Sequence, residues 1–442
     1  MARAMSTPSD NRKKPRCDRA DALSIVQSLR QAGHVAYFAG GCVRDLLLGR
    51  EPGDWDIATD APPPRVRQLF RDTQAVGAAF GVVLVRQGKS VVEVATFRTD
   101  GPYADGRRPD FVQFASETDD AQRRDFTING LFLDPLTDHI IDHVGGQADL
   151  QSRTLRAIGS PQHRFAEDHL RLLRAVRFAA RLDFKIDPTT EAAIRSTAPR
   201  LTTISPERVG DELRLMLPPI TRNRAWQLLW DLQLAPVLFR QLKNASPTMA
   251  PSRSLFLRVA PQNEISFGLA IAAAVLCAQL QQAPDGLLKF VDKKPVQEAV
   301  QALRKTARLS NDESEEMLTT LTSLLPLLQT DPPRIAAQKR FLAGLFADNS
   351  ELLLTALAHL GQHADRIAEL QKSFVELRKT DVAPSPLLTG DDLTGAGFQP
   401  GPQFKMLLDA TYDAQLEDRL HTHAEALHFV REMLDAHNRG SK

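Results

Sequence analysis

Polar and apolar positions alternate with a helical period over residues 22–32, and a short β-rich run at 35–38 follows before Gly40-Gly41 opens a second helix. Pro52-Gly53 makes a turn, and 54–57 reads as a strand. Strands are expected at 80–85 and 90–97, joined by a tight turn at Gln87-Gly88-Lys89. Residues 100–109 (DGPYADGRRP) form a glycine-rich, charged loop. Beyond it come a strand at 111–114, a helical segment holding Thr127 and Asn129, and a strand at 139–142. Strands interrupted by helices over this stretch predict a compact α/β head with a mixed sheet. From Arg164 onward helical periodicity dominates, with breaks at 218–219, 244–261, 283–286 and 381–386. The expected fold class is α+β: the head, then an elongated all-helical remainder.

Composition narrows this only modestly. At 442 residues several domains are expected, and 25% charged with 43% hydrophobic residues is ordinary for a globular protein. A net charge of +1 requires any nucleic-acid surface to be local rather than global. Cys17, Cys42 and Cys277 are too scattered for a disulfide framework or a Cys-x-x-Cys metal pair, which fits a reducing cytoplasm. Residues 1–20 are polar and basic without an apolar core, so they read as a disordered tail and not as a signal peptide. The apolar run 267–277 is shorter than the roughly 20 residues a bilayer span needs, and is expected to be a buried helix.

Four stretches carry candidate chemistry. In GGCVRDLLLG (40–49), two glycines before a helix let backbone approach an anion, and Arg44 lies one turn in, placed to clamp a phosphate group; a plain glycine turn with a surface arginine is the rival reading. Asp54 and Asp56 stand at i and i+2 around Trp55, so on an extended chain both carboxylates face one way and suit hard Mg2+ ions. Glu93 would add a third carboxylate from a neighbouring strand. Alone, an Asp-x-Asp is usually a solvated strand end. In EDHLRLLRAVRF (167–178), a wheel drawn at about 100° per residue puts Leu172, Leu173, Val176, Ala179 and Ala180 on one face, and Arg164, Glu167, Asp168, Arg171 and Arg174 on the other, with Arg177 at the rim. A solvated face laced by ion pairs is the ordinary outcome, yet four arginines against two carboxylates leave positive charge to spare. His169 falls on the apolar face and reads as a hydrogen-bonded core residue. RRDFTING (123–130) is either a capped surface helix or a pair of cations brought to the same site.

Taken in order, GGCVRD, GDWD (53–56), VEVATFR (92–98), RRDFTING, EDHLRLLRAVRF and ISPERVGDEL (204–213) resemble the class II tRNA nucleotidyltransferases and bacterial poly(A) polymerases. LLTGDDLTGAGFQPGP (387–402) resembles a C-terminal signature of the same family. The resemblance implies a nucleotidyltransferase head at 21–150, a helical neck at 151–216 that recognises the base, a helical body at 217–380 and an RNA-binding helical tail at 381–442. It implies two Mg2+ ions on Asp54 and Asp56, with ATP and CTP as substrates and Gly41, Arg44 and Arg124 on the nucleotide's phosphates and sugar. Asp168 and Arg171 would form the base-reading pair, with Arg174 and Arg177 completing the nucleotide site. That pair makes chemical sense: adenine and cytosine both offer an amino donor beside a ring-nitrogen acceptor, whereas guanine and uracil offer the reverse.

The implied activity is template-independent addition of CCA to the 3′ end of tRNA, with release of pyrophosphate. Poly(A) synthesis on RNA 3′ ends, addition of the terminal A beside a separate CC-adding partner, and a catalytically inactive RNA-binding protein are the alternatives. Residues 76–81 (VGAAFG) lack the basic stretch that gammaproteobacterial poly(A) polymerases carry there, which favours a tRNA enzyme. The 100–109 loop matches the flexible loop with which relatives switch from CTP to ATP. No membrane and no obligate protein partner are implied. Two positions depart from the family pattern: His169, usually small or proline, and Gly130, usually alanine or serine.

Overall fold

Asp18 caps helix α1 (Arg19–Gln31) by accepting from the Ala20 N–H at 2.9 Å, and Ala22, Ile25, Val26 and Leu29 form its fully buried face. Cys17 is buried too, and α1 begins at Arg19, so residues 17–20 are ordered where a tail was expected. The computed structural model describes residues 17–74, 81–101, 111–218, 220–239, 265–282, 286–330, 332–398 and 401–440. Most of the 76–81 stretch, most of the 100–109 loop and the break at 244–261 lie outside these.

Strands β1 (Ala36–Ala39), β2 (Ile57–Thr59), β3 (Thr73–Gln74), β4 (Val82–Gln87) and β5 (Ser90–Thr96) belong to one sheet. β6 (Arg98–Asp100) and β7 (Val112–Phe114) pair separately, while β8 (Leu131–Asp134) and β9 (His139–Asp142) complete the main sheet in the order β3-β4-β5-β2-β1-β8-β9. β2 and β5 run parallel and every other neighbouring pair in that sheet is antiparallel, so the sheet is mixed. Helices α2 (Gly41–Leu47), α3 (Pro63–Leu69) and α4 (Glu117–Gln122) fill its connections. Alternation along β5 buries Val92, Val94 and Thr96 and leaves Glu93 exposed, and α1 and α3 both pack on this strand. Tyr37, Phe97 and Phe132 meet with ring centroids 5.8–6.2 Å apart, closed over by Ala121 of α4.

After α5 (Gly146–Gln151) the chain forms β10 (Thr154–Leu155), α6 (Pro161–Glu167), α7 (Arg171–Leu182), β11 (Lys185–Ile186), α8 (Pro188–Thr197) and α9 (Pro206–Met216). β11 pairs in parallel with β10, a short strand that the helical pattern past Arg164 conceals. α7 packs on α9 and α6 on α8. Together with Leu228–Leu238, the chain up to Met216 makes one compact unit; Leu217–Gln227 and the chain from Phe239 onward make the other.

Among the described residues the second unit is wholly helical. Its helix Phe267–Gln282 buries every residue from Leu269 to Cys277, the expected interior helix, and packs on Asn311–Thr322. Among the described residues no single helix is long and apolar enough to cross a membrane.

Candidate active site

β1 delivers the chain to Gly40, which takes φ 72° and ψ −117° to turn into α2. A side chain here would be strained, and its Cβ would come within 2.8 Å of Arg124 Nη1. Gly41 has ordinary helical backbone, so Gly40 is the position that glycine alone can fill.

Asp54 and Asp56 are exposed on either side of buried Trp55, whose ring meets Phe38 at 4.7 Å. β2 begins only at Ile57, so the strand expected from residue 54 starts later and both aspartates precede it on irregular chain. The alternation nevertheless holds, because burying Trp55 turns the flanking side chains outward. The Asp56 carbonyl accepts from the Ala39 N–H at 2.9 Å, tying the carboxylate to the glycine turn. Parallel register sets Ile57 opposite Val94 and thus Glu93 level with Asp56. Asp56 and Glu93 share a cavity of about 250 Å3 with Arg98, Arg123 and Arg124. Among the described residues no group of three or more His, Cys, Asp or Glu side chains is gathered as a metal cage.

A second cavity, about 490 Å3, opens on the other side of Asp56 and is lined by Gly40 and Gly41, by seven arginines (44, 123, 124, 171, 174, 177 and 208) and by Asp125 and Asp168. Such a density of guanidinium groups in one hollow needs internal acids to stand, and each arginine has an anchor. Arg44, 3% exposed, gives Nε to Asp45 at 2.8 Å and Nη1 to Asn129 at 2.7 Å. Arg174 reaches Asp125 at 2.6–2.8 Å, and Arg177 reaches Glu212 at 2.8 Å. Burial pushes the Asp125 carboxyl up, but Arg174 and the Asn129 amide prevail and hold it at about 2. For Glu212 burial prevails over Arg177 and its carboxyl is raised. Phe178 floors the cluster, with Arg44, Arg174 and Arg177 over its ring at 4.5–5.3 Å.

The helix expected through 167–178 is broken. α6 stops at Glu167, Asp168 is extended (φ −142°, ψ 106°), and α7 starts at Arg171. The cause is local: Asp168 Oδ1 accepts from the Leu170 N–H at 3.0 Å, a side-chain bond that competes with helix continuation. Asp168 and Arg171 still line one cavity, and the Arg171 N–H donates to the Asp168 carbonyl at 3.0 Å, but their side chains take other partners. Asp168 Oδ2 accepts from Arg208 at 2.7 Å, whereas Arg171 bonds the Glu167 carboxylate, the Arg164 carbonyl at 2.8 Å and the Arg123 carbonyl at 3.3 Å. His169 is half-buried and not a core residue; its Nδ1 meets Thr203 Oγ1 at 2.8 Å, and burial, with Arg200, lowers its pKa.

The structure therefore brings Gly41, Arg44, Asp56, Arg124, Asp168, Arg171, Arg174 and Arg177 to one cavity, with Glu93 in the adjoining one, while Asp54 lines neither. Sequence reading saw the glycine pair but named only Gly41 for the nucleotide, and it missed Asp125, Asn129, Phe178 and Arg208. Arg208 stands in ISPERVGDEL, where only the resemblance drew attention to it, because nothing in a surface-looking helix marks one arginine as an anchor.

This head has the build of a polymerase-A-type protein. Residues 36–156 match the poly A polymerase head domain, and residues 183–246 match the probable RNA and SrmB-binding site of polymerase A. A CCA-adding enzyme of Lactiplantibacillus plantarum is 32% identical over 422 residues, which cover 94% of this chain and 97% of that protein. One from Lacticaseibacillus paracasei is 34% identical over 402 residues, 90% and 91% of the two chains. With a CCA-adding enzyme of Streptococcus suis the identity is 50% over 222 residues; the match takes in 48% of this chain and only about half, 55%, of that relative's length. The crystal structure of the Bacillus stearothermophilus CCA-adding enzyme in complex with CTP matches with a TM-score of 0.66 at 31% identity, over 95% and 98% of the two chains. A Thermotoga maritima CCA-adding enzyme complexed with tRNA shares the fold at 20% identity and a TM-score of 0.61, over 95% and 97%. The chain belongs to the family of CCA-adding enzymes.

Proposed function

We propose that this protein adds CCA to the 3′ end of tRNA from CTP and ATP, by nucleotidyl transfer with release of pyrophosphate. The observation that carries the reading is the arginine-lined cavity abutting Asp56, with Asp168 and Arg171 on its wall. Arg44, Arg124, Arg174 and Arg177, with Gly40 and Gly41 leaving room for close approach, would hold the triphosphate and sugar. Asp168 would accept from the amino group of adenine or cytosine, and Arg171 would donate to the adjacent ring nitrogen. Arg208 orders Asp168 while leaving each carboxylate oxygen a second lone pair. Guanine or uracil would face both groups with like partners and leave them unpaired, a cost of about 1–3 kcal/mol for each buried group.

Asp54, Asp56 and Glu93 supply only hard carboxylate oxygens, a donor set that fits Mg2+ and not a softer metal. Asp54 and Asp56 would hold the two ions, and bound magnesium supplies activation of the 3′-hydroxyl and charge neutralisation on the leaving pyrophosphate. Glu93, level with Asp56, would stand on the side of the incoming 3′ end. In this reading residues 21–150 are the catalytic head, 151–216 the neck that selects the base, 217–380 the body and 381–442 the tail that hold tRNA, and the protein works in the cytoplasm.

Primer extension tests it, on a tRNA transcript lacking its last three nucleotides, with Mg2+ and CTP, ATP or both. Growth by two residues with CTP and by three with both supports CCA addition. Long tails with ATP alone make the protein a poly(A) polymerase, growth only on a transcript ending in CC makes it an A-adding enzyme, and no growth leaves an RNA-binding protein.

A further inference from the structure

Two arginines, Arg123 and Arg124, line both the large cavity and the smaller one beside Glu93, so together with Asp56 they form the wall the two share. Neighbouring guanidinium groups repel and each side chain has many rotamers, so something must aim them. Behind them lies Asp120, in α4, 1% exposed and lining neither cavity. Its Oδ1 accepts from Arg123 Nε at 2.9 Å and Nη2 at 2.6 Å. Its Oδ2 accepts from Arg124 Nε at 3.1 Å and Nη2 at 2.9 Å. One carboxylate thus seats two guanidinium groups, one on each oxygen. The free edge of Arg124 is fixed as well: Nη1 donates to the Asn129 carbonyl at 3.2 Å, and the missing Cβ of Gly40 leaves the space it occupies.

The geometry points to Asp120 as the positioning residue that sets Arg123 and Arg124 in register with the nucleotide. It touches no substrate and acts through the two arginines. The rest of α4 supports the assignment. Asp119, its neighbour, is exposed and spent on the capping box with Ser116, so the two adjacent aspartates divide the work between starting the helix and seating the arginines. Burial pushes the Asp120 carboxyl up, but Arg124 and Arg123 hold it below the ordinary range, so it is ionised wherever the protein is folded near neutral pH. Backbone from the neighbouring hairpin joins the same acceptor, the Arg98 N–H at 3.4 Å from Oδ1. Asp120 therefore ties the arginine wall to strand β6 as well as to its own helix.

The inference rests on the cavity being a nucleotide site, and its test separates the two. Full-length Asp120→Asn, Arg124→Ala and the double variant are compared with the wild type in steady-state extension of the tRNA transcript and in equilibrium binding of CTP and ATP with Mg2+. The substitution Asp120→Asn is expected to raise the KM and the Kd for both nucleotides by roughly tenfold, with the KM for tRNA unchanged, and the double variant to lose less than the product of the two single losses, the remainder acting through Arg123. A nucleotide KM within about twofold of wild type, or losses that multiply in the double variant, would overturn the assignment. If Asp120→Asn melts below the assay temperature, Asp120→Glu, which keeps the charge but shifts it by one methylene, is measured instead; it should raise the nucleotide KM likewise, and an unchanged KM overturns the proposal. A wild-type chain that extends no transcript yet binds CTP and ATP sinks the proposed function, while the binding series still decides the role of Asp120.

Discussion

A methyl group at Gly130 would come within 2.7 Å of Val144 and 3.3 Å of Ile158. Its φ of −92° is open to any residue, so packing and not backbone selects glycine. Gly130→Ala should therefore destabilise the protein by about 1–3 kcal/mol, and Val144→Ala in the same chain should recover part of that loss in urea unfolding. An equal midpoint for wild type and single variant would contradict the contact. Asp125 makes a prediction about acid. Its folded carboxyl is held at about 2, below an unfolded value near ~3.9, so it contributes stability that is complete above pH ~4 and lost as pH falls through about 2. Asp125→Asn should flatten acid unfolding in that window, and an unaltered profile would rule the effect out. Changing Asp54 and Asp56 together to alanine should abolish incorporation while tRNA binding persists in a filter assay; unchanged incorporation sinks the two-metal assignment. Arg171→Ala should relax exclusion of GTP and UTP by roughly tenfold or more, equivalent to about 1.4 kcal/mol, read as misincorporation; strict ATP and CTP choice in the variant would remove Arg171 from base reading. At this scale the outward turn of Asp54 and Asp56 was legible because it depends on alternation around a single buried tryptophan, although only Asp56 lines the cavities. The partner of Asp168 was not, since Arg208 lies forty residues further on and side-chain pairing over that distance leaves no local trace, whereas Arg171 takes Glu167 one turn back, as helical spacing suggests.

Among the elements, the helix that carries the arginine row shows both the reach and the limit of periodicity. A single wheel over 164–178 grouped residues that do converge, yet the chain there is two helices separated by Asp168. The grouping survived because α7 alone carries Arg171, Arg174 and Arg177 at spacings of three, with Leu172, Leu173, Val176, Ala179 and Ala180 buried. The break escaped notice because an aspartate in mid-pattern is a mild perturbation unless its own side chain captures a nearby N–H. Strand edges show the same effect: β2 starts three residues later than expected, since hydrogen-bond pairing and not composition decides where a ladder begins. Elements with a strong pattern, such as α1 and the helix Phe267–Gln282, were readable in kind but not in extent: α1 starts three residues before the expected 22, and the other helix runs five residues past 277.

For the whole molecule, the division after Met216 is interrupted by Leu228–Leu238, which belongs with the first unit. Leu229, Trp230, Leu232 and Leu234 of this segment are buried, and Ala235–Leu238 packs on residues 198–203. A chain ending at residue 239 should accordingly melt roughly 4 °C or more above one ending at 216; equal melting temperatures would deny the segment a part in the first unit. The proline pair at 218–219 marked a break in the pattern, but a segment that returns to an earlier unit has no signature of its own, because burial against distant chain looks like burial anywhere.

The three cysteines are all buried and none is in a disulfide, two of them beside the acidic turn and one inside the helix Phe267–Gln282. Burial, with Asp56 adding to it, pushes the Cys42 thiol up to about 12. A maleimide added to the native protein can therefore react only when the chain opens. Labelling rate becomes a stopwatch on that opening: Cys42 times the glycine turn, Cys277 times the second unit, and a bound nucleotide that steadies the turn should slow the first clock and leave the second running.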